Sequence, residues 1–303
     1  MADHVSPSVA PPRLPSWLRR PVRTDADYGR VSRLLSELSL STVCRSAQCP
    51  NRHECWNHGT ATFLILGNRC TRNCRFCAVE HGPAGAPEPD EPTRVATAAR
   101  AMKLRHVVVT SVTRDDLPDG GAGHFAATIA VLRGALADVT IEVLTPDFQG
   151  RPTDVDTVLA AAPDVFNHNL ETVRRLQAHV RPQASYATSL AVLRRAAARA
   201  GGPAVKSGLM LGLGETDEEI AAALADLRAA GVVWLTLGQY LAPTRAHWPV
   251  ARFVPPEEFA DWRRRALVLG FTAVASGPLV RSSYQAERLL DKNAAAATLA
   301  AAE

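Results

Sequence analysis

The side chains best suited to chemistry in this chain of 303 residues are its six cysteines. They form two triplets with short spacings, which are Cys44, Cys49 and Cys55, and Cys70, Cys74 and Cys77. Clustered cysteines in a protein without an export signal are typical of metal ligands rather than disulfides. The first 30 residues contain no apolar segment of the kind that directs secretion. We therefore predict a cytoplasmic protein whose thiols bind metal.

The second triplet places three thiols on one short segment, in the pattern Cys70-x3-Cys74-x2-Cys77. Structural zinc sites usually take four ligands, commonly as two separated pairs. Electron-transfer 4Fe–4S clusters also take four cysteines. Three thiolates on one loop would hold three irons of such a cluster and leave the fourth iron open to a ligand. The spacing therefore predicts catalysis at an iron–sulfur cluster rather than electron transfer alone.

The composition of the chain excludes several classes of protein. Hydrophobic residues make up 47% of the chain and charged residues 21%, which is typical of a globular protein with a substantial core. The formal net charge of +4 is too small and too dispersed to indicate nucleic-acid binding. No apolar run approaches the roughly 20 residues that span a membrane. We expect neither nucleic acid nor a membrane as a partner.

Strand-like apolar runs alternate with helical patterns, and these elements must position the thiols. The predicted strands are Phe63–Leu66, His106–Thr110, Ile141–Leu144, Asp164–Phe166, Val205–Leu211, Trp234–Leu237 and Thr272–Ala275. One intervening helix begins at a capping box of Thr216 and Glu219 and ends at Gly231. Strands separated by helices pair in parallel, and six or seven such units are fewer than the eight of a closed barrel. We predict an α/β fold with a partial, open barrel, and periodicity leaves a doubly wound sheet as the alternative.

The second triplet, at the end of the first strand, resembles the signature of the radical S-adenosylmethionine (SAM) superfamily. Members of this superfamily have a partial (β/α)6-type barrel and an aromatic residue, here Phe76, before the last cysteine. The resemblance implies that SAM binds the open iron and that one electron from the reduced cluster yields a 5′-deoxyadenosyl radical. It also implies cofactor contacts after the second strand, although an ordinary strand-end turn is the alternative. The residues at that position are Thr110, Ser111, Arg114 and Asp115.

The first triplet alone is compatible with a second iron–sulfur site, a zinc site or part of a shared arrangement. Its surroundings, Cys49-Pro-Asn-Arg-His-Glu-Cys55-Trp, resemble the CPN…ECW motif of the lipoyl synthases. The resemblance continues from Trp17 to Ala286 and includes Arg281-Ser-Ser-Tyr284. In that family an auxiliary 4Fe–4S cluster is held by three cysteines and the second serine of this last motif. Here that serine is Ser283.

The resemblance implies a specific reaction. Lipoyl synthases insert sulfur at C6 and C8 of an octanoyl chain that is attached to a lysine of a lipoyl carrier domain. The radical removes hydrogen from unactivated carbon, and the auxiliary cluster donates its own sulfide. The expected cofactors are therefore two 4Fe–4S clusters and SAM. The expected partners are an octanoylated lipoyl carrier, an electron donor such as a flavodoxin or ferredoxin, and an iron–sulfur cluster carrier.

Three regions are expected along the chain. Residues 1–60 would form an N-terminal arm and the auxiliary-cluster segment, residues 61–280 the barrel, and residues 281–303 a segment with the serine motif and an alanine-rich tail. Two alternative functions remain. One is another radical sulfur-inserting enzyme similar to biotin synthase, and the other is a non-catalytic iron–sulfur electron carrier or sensor.

Two groups of residues keep alternative roles at this stage. Arg69, Arg72 and Arg75 interleave the second triplet and either favour a reduced, more anionic cluster or are solvated charges. The segment 167–169 either faces the cavity or caps a helix that begins at Leu170.

Overall fold

The computed structural model of the protein describes residues 14–20 and 25–289. Its strands are β1 (Ser41–Thr42), β2 (Thr62–Ile65), β3 (Arg69–Cys70), β4 (Glu80–His81), β5 (His106–Ser111), β6 (Thr140–Leu144), β7 (Val165–Asn167), β8 (Ala204–Leu211), β9 (Trp234–Gln239) and β10 (Ala273–Gly277). Its α-helices are α1 (Ala26–Glu37), α2 (Val43–Ser46), α3 (Arg52–Asn57), α4 (Glu91–Ala101), α5 (Ala122–Ala135), α6 (Pro152–Ala160), α7 (Gln177–Val180), α8 (Tyr186–Ala197), α9 (Asp217–Ala229) and α10 (Pro256–Val268). Short 3₁₀ turns lie at Ser16–Leu18, Phe148–Gly150 and Ala286–Leu289. The alanine-rich residues 293–303 and most of the proline-rich residues 1–23 lie outside the described residues.

An eight-stranded sheet organises most of the described residues, and β3 and β4 form a separate two-stranded sheet. The strand order of the larger sheet is β1-β2-β5-β6-β7-β8-β9-β10, with β1 antiparallel to β2 and every other neighbouring pair parallel. The parallel strands follow one another in chain order without the reversal that defines a doubly wound sheet. Within the described residues β1 and β10 remain as edges, so the barrel is open. The predicted partial barrel is confirmed, and the doubly wound alternative is wrong.

The predicted strands agree with the observed ones to within one or two residues at each end. Burial explains this agreement, because continuous runs of β-branched residues such as Val107–Val109 are typical of strands covered on both faces. On α5, Phe125, Ile129 and Leu132 lie on one face of the helix and are completely buried in the core. Among the described residues, no helix is both long and apolar enough to cross a membrane.

The helix that ends at Gly231 shows how local sequence sets its boundaries. The Thr216 hydroxyl accepts the amide of Glu219, and the Glu219 carboxylate accepts the amide of Thr216, so the predicted capping box is present. Gly231 adopts φ +85°, a left-handed conformation that glycine reaches without strain. The helix expected from Leu170 does not form there, since α7 begins only at Gln177. Backbone bonding to the neighbouring strand β8 replaces it, through an isolated bridge between Glu171 and Leu209.

Candidate active site

The two cysteine triplets meet in one cavity of about 520 Å³ at the carboxyl ends of the barrel strands. All six cysteines line this cavity. The predicted residues Phe76, Thr110, Ser111 and Ser283 line it as well. The volume lies within the range of pockets that bind cofactor-sized molecules. The structure therefore brings together two groups of thiols that are separated in the sequence.

The second triplet lies on the loop that follows β2. Cys70 ends the two-residue strand β3 within this segment, and its Sγ accepts the backbone amides of Arg72 and Thr113, each at 3.4 Å. The Cys77 amide donates to the Cys74 carbonyl at 3.0 Å, which turns the end of the loop. Burial raises the pKa of Cys77 to about 12, and its two neighbouring thiols add to this effect. The loop thus holds the three thiols close enough to influence one another.

Arg72 anchors this loop to the strand ends. Its guanidinium makes paired hydrogen bonds to the Asp115 carboxylate at 2.6 and 2.9 Å, and to the Asp147 carboxylate at 2.7 and 2.8 Å. The Arg72 side chain is only 6% exposed and that of Asp147 only 2%. Two carboxylates therefore neutralise this arginine, while Arg69 pairs with the exposed Glu80 at 2.8 Å.

The first triplet is carried by short helices beside strand β1. Thr42 caps α2 by accepting the amide of Arg45 at 3.3 Å, which places Cys44 in the first turn. The Cys49 amide donates to the Cys44 carbonyl at 3.1 Å. Burial raises the pKa of all three thiols, and the pKa of Cys55 is raised further by Cys44 and Cys49. These thiols also form one electrostatically coupled group.

The segment after β10 packs against the first triplet. Asn51 Nδ2 donates to the Leu279 carbonyl at 2.6 Å, and the Tyr284 hydroxyl donates to Glu54 Oε1 at 2.7 Å. The Arg281 guanidinium is close enough to oppose the burial-driven rise in the pKa of Cys49. These contacts place the serine motif at the same end of the cavity as the first triplet.

The two serines of that motif differ in their hydrogen bonding. Ser282 Oγ accepts Asn169 Nδ2 at 2.7 Å and donates to Asn169 Oδ1 at 3.0 Å. Its carbonyl accepts Lys206 Nζ at 2.6 Å. Both serines line the cavity, and Ser282 is engaged through its side chain and its backbone.

A buried ion pair lies beneath the cavity, inside the barrel. Lys206 Nζ on β8 donates to Glu142 Oε1 on β6 at 2.8 Å, and both side chains are 0% exposed. The same carboxylate also contacts His106 Nε2 at 3.2 Å and Asn167 Nδ2 at 3.3 Å. Although burial opposes it, Lys206 and His106 hold the pKa of Glu142 below its usual value.

The cofactor contacts predicted after the second barrel strand, which is β5, divide into two groups. Thr110 and Ser111 line the cavity, and the Thr110 hydroxyl donates to the Leu144 carbonyl at 2.9 Å. Arg114 is turned away and pairs with Asp116 at 2.8 and 2.9 Å. Asp115 is held by Arg72. Neither Arg114 nor Asp115 is among the described residues that line the cavity.

His168 presents an unused nitrogen at the cavity wall. Its Nδ1 lies 2.9 Å from the Thr145 carbonyl, an arrangement in which Nδ1 carries the proton and donates it. Its Nε2 is buried and has no hydrogen-bond partner among the described residues. Burial lowers the pKa of His168 to about 4, so the ring is neutral near pH 7. Nε2 is therefore an acceptor for a donor group of a bound molecule.

Arg181 is the buried cation beside the second triplet. It donates to the carbonyls of Asn169 and Leu170 at 3.3 and 3.2 Å and is 9% exposed. Burial raises the pKa of Cys74, and Arg181 opposes that rise. The partly buried Glu171 also lies near this arginine, and burial raises the pKa of its carboxyl.

The donor set fits iron–sulfur chemistry. All six cysteines are free thiols, and soft thiolate ligands suit iron–sulfur clusters. The hydroxyls of Ser111 and Thr145, together with His168 Nε2, line the cavity without partners in the described part of the chain and suit a polar cofactor. Among the described residues, no three His, Cys, Asp or Glu side chains lie close enough together to hold a single metal ion.

Comparison with known proteins identifies the family. A sequence profile of the radical SAM superfamily matches residues 64–238. The lipoyl synthase of Chlorobium phaeovibrioides is 56% identical over 276 residues, covering 90% of this chain and 96% of that protein. The lipoyl synthase of Thermus thermophilus is 56% identical over 277 residues, covering 91% of this chain and 86% of that protein. The chain belongs to the lipoyl synthase family.

Solved structures support the fold independently. Methylornithine synthase superposes with a TM-score of 0.52 at 13% identity, covering 87% of this chain and 82% of that chain. SuiB of Streptococcus suis bound to S-adenosylmethionine also gives a TM-score of 0.52, at 11% identity, covering 72% of this chain and 51% of that chain. At such low identity these likenesses show the fold alone.

Family membership confirms the predicted class of enzyme, together with SAM and 4Fe–4S chemistry. The protein is a radical SAM enzyme, and this class uses SAM and a 4Fe–4S cluster. Glu142, Lys206 and Arg181 are not among the site residues predicted from the sequence. A signal for the first two was present, because Glu142 places a negative charge and Lys206 a positive charge within otherwise apolar strands. Arg181 follows a four-residue helix and has no comparable signal.

Proposed function

We propose that this protein inserts sulfur at C6 and C8 of an octanoyl chain on a lysine of a lipoyl carrier domain. The observation that carries this proposal is the convergence of both cysteine triplets and Ser283 on one cavity. When bound, SAM and its cluster supply the hydrogen-abstracting radical, and an auxiliary 4Fe–4S cluster supplies sulfide. The two sources must lie near one substrate carbon chain, and a shared cavity satisfies that requirement.

The residues of the second triplet would hold the SAM-binding cluster. Cys70, Cys74 and Cys77 provide three thiolates on a loop that is anchored by Arg72. Thr110 and Ser111 provide hydroxyls at the adjacent strand end, where they would contact the cofactor. Arg114 and Asp115 would act on the loop and strand-end geometry instead, because their charged groups are already paired with other residues.

The first triplet and Ser283 would hold the auxiliary cluster. An oxygen ligand is harder than a thiolate and is less suited to an iron–sulfur core. A serine oxygen would therefore release its iron more readily as sulfur is withdrawn. The family resemblance selects Ser283, and the engagement of Ser282 by Asn169 and Lys206 supports that choice.

The experiment that tests the proposal compares one cysteine from each triplet. After anaerobic reconstitution, two clusters correspond to about eight irons per chain. Cys74→Ala should abolish formation of 5′-deoxyadenosine from SAM. Cys49→Ala, the matched variant of the other triplet, should still form 5′-deoxyadenosine but should yield no lipoyl product from an octanoyl-lysine peptide, as measured by mass spectrometry.

Each alternative function has a distinct outcome in this experiment. Normal sulfur insertion by Cys49→Ala would contradict the role of the first triplet as sulfur source. An iron–sulfur carrier or sensor would form no 5′-deoxyadenosine even as the wild-type chain. An enzyme similar to biotin synthase would cleave SAM but leave the octanoyl peptide unchanged. A flavodoxin or ferredoxin as electron donor, and a cluster carrier for rebuilding the auxiliary cluster, complete the proposed set of partners.

A further inference from the structure

We propose that Lys206 is a positioning residue that holds the serine segment 281–284 so that Ser283 is presented to the auxiliary cluster. This inference rests on the proposed function, because it assumes that Ser283 is an iron ligand. Lys206 is not among the described residues that line the cavity, and its ammonium contacts the serine segment at the Ser282 carbonyl.

The contacts of the Lys206 ammonium define this role. It donates at 2.8 Å to Glu142 Oε1, which lies on a neighbouring part of the barrel, and at 2.6 Å to the Ser282 carbonyl. Residues 206 and 282 are separated by 76 positions in the chain. A charge-assisted hydrogen bond of this kind is shorter and stronger than one between neutral groups. The bond therefore ties the serine segment to a completely buried pair of side chains on strands β6 and β8.

Stability alone is a poor reason for this arrangement. Burying an ion pair removes two charges from water, and an apolar pair of similar volume is often as stable or more stable. Lys206 and Glu142 are both completely buried. An apolar side chain at position 206 could not make the hydrogen bond to the Ser282 carbonyl. The structure thus assigns the lysine a role at the serine segment rather than in the core alone.

The hydrogen bonds of the Ser282 side chain distinguish Ser282 from Ser283 as a possible iron ligand. Its hydroxyl both donates to and accepts from Asn169, so its proton and an acceptor site are already in use. Lys206 and Asn169 together fix Ser282 at its carbonyl and at its side chain. The next hydroxyl in the chain, that of Ser283, is the one left to bind iron.

Loss of the Lys206 contact should loosen the proposed auxiliary-cluster site but not the proposed cluster site of the second triplet. Lys206→Met removes the ammonium while keeping much of the side-chain length. In the loaded enzyme we expect an iron chelator to remove about half of the iron at least about tenfold faster than in wild type. The other half should be released at the wild-type rate. In the metal-free protein, hydrogen exchange should increase at residues 279–285.

Two further variants keep this test decisive. Because Lys206→Met leaves the Glu142 carboxylate without its cation, the double variant Glu142→Gln, Lys206→Met restores neutrality and serves if the single variant does not fold. Asn167→Leu is the matched control, since Asn167 contacts Glu142 at 3.3 Å and has no bond to the serine segment among the described contacts. It should leave iron release and exchange at residues 279–285 unchanged.

Ser283→Ala, measured in parallel, separates this inference from the proposed function. Faster release of the same half of the iron in Ser283→Ala and in the Lys206 variants would support both. Faster release in Ser283→Ala alone would overturn the positioning role and leave the proposed function intact. Wild-type release in Ser283→Ala would overturn the serine ligand and the positioning role with it.

Discussion

At the scale of single residues, Arg72 has a role that its position between two cysteines does not reveal. An arginine beside a cluster is expected to favour the reduced, more anionic state. Here two carboxylates, from Asp115 and Asp147, neutralise the guanidinium. Its main effect is therefore mechanical, because it joins the loop of the second triplet to two strand ends. Arg181 is the buried cation that acts on Cys74 instead.

Arg72→Gln should destabilise the fold strongly. The substitution leaves the buried Asp147 carboxylate without its cation, which typically costs about 3–5 kcal/mol. Arg69→Gln, on the same loop, is the matched control, because its pair with Glu80 is exposed and should contribute less than about 1 kcal/mol. Urea unfolding of the metal-free variants measures both changes. Equal losses of stability in the two variants would contradict the anchoring role.

His168 should make the stability of the protein depend on pH. Its pKa is about 4 in the folded protein, against 6.5 for an ordinary histidine. Below pH 6.5 the unfolded chain binds a proton that the folded chain does not, so stability falls as pH falls towards 4. The full loss corresponds to about 3 kcal/mol. Above pH 6.5 the contribution is fully present.

His168→Gln should remove this pH dependence. The glutamine does not titrate, so the difference in unfolding free energy between wild type and variant should change between pH 7 and pH 4.5. Urea unfolding of the metal-free proteins at several pH values measures the difference. A constant difference across that range would show that His168 is protonated as easily in the folded protein as in the unfolded chain.

At the scale of secondary-structure elements, hydrophobic periodicity was sufficient to predict the barrel strands. The two-residue strand β1 and the short helices α2 and α3 were not predicted, because such segments are too short to show periodicity. Their positions depend on long-range contacts such as the one between Asn51 and Leu279. The prediction of a helix that begins at Leu170 is wrong, because backbone bonding of Glu171 to strand β8 prevails over local helix preference.

The candidate site was predictable to different degrees for different residues. The cysteines have a spacing that only a few kinds of metal site share. Lys206 and His168, by contrast, act through neighbours that are distant in the chain, namely Ser282 and Thr145. Their roles depend on which strand ends meet, and this is a property of the fold rather than of any local motif.

The end of α9 provides a test of element boundaries. A Cβ added at Gly231 would lie 2.4 Å from Ala197 Cβ, and φ is +85°. Gly231→Ala should therefore lower stability by about 2 kcal/mol, from strain and overpacking. Gly134→Ala is the control, because this α5 position has open space and should gain about 0.5–1 kcal/mol. Thermal unfolding measures both, and equal Tm shifts would contradict this account.

At the scale of the whole molecule, segments next to the two edges of the sheet contact each other at the open side of the barrel. Strand β1 lies at one edge of the sheet and β10 at the other. Contacts from Asn51 to Leu279 and from Glu54 to Tyr284 join the segments next to these edges. The upstream thiols and the serine motif therefore share one wall of the cavity.

Tyr284→Phe should loosen the contact between these two segments. The variant loses the 2.7 Å hydrogen bond to Glu54, so hydrogen exchange should rise in residues 279–285 with little change in strands β5 to β7. Tyr240→Phe is the matched control, because it loses a similar bond, 2.6 Å to the Trp248 carbonyl, at another part of the cavity. Exchange in residues 279–285 that is the same in both variants would show that Glu54 does not hold the segment.

The contact between Glu54 and Tyr284 has a consequence for biosynthesis. Glu54 and Tyr284 are 230 positions apart, so the ribosome must add 230 residues after Glu54 before the two can meet. Contacts of such long range also form late in folding, since closing a long loop costs entropy. The upstream cysteines therefore leave the ribosome long before the proposed serine ligand exists. Under the proposed ligand set, cluster delivery to that site would have to follow translation.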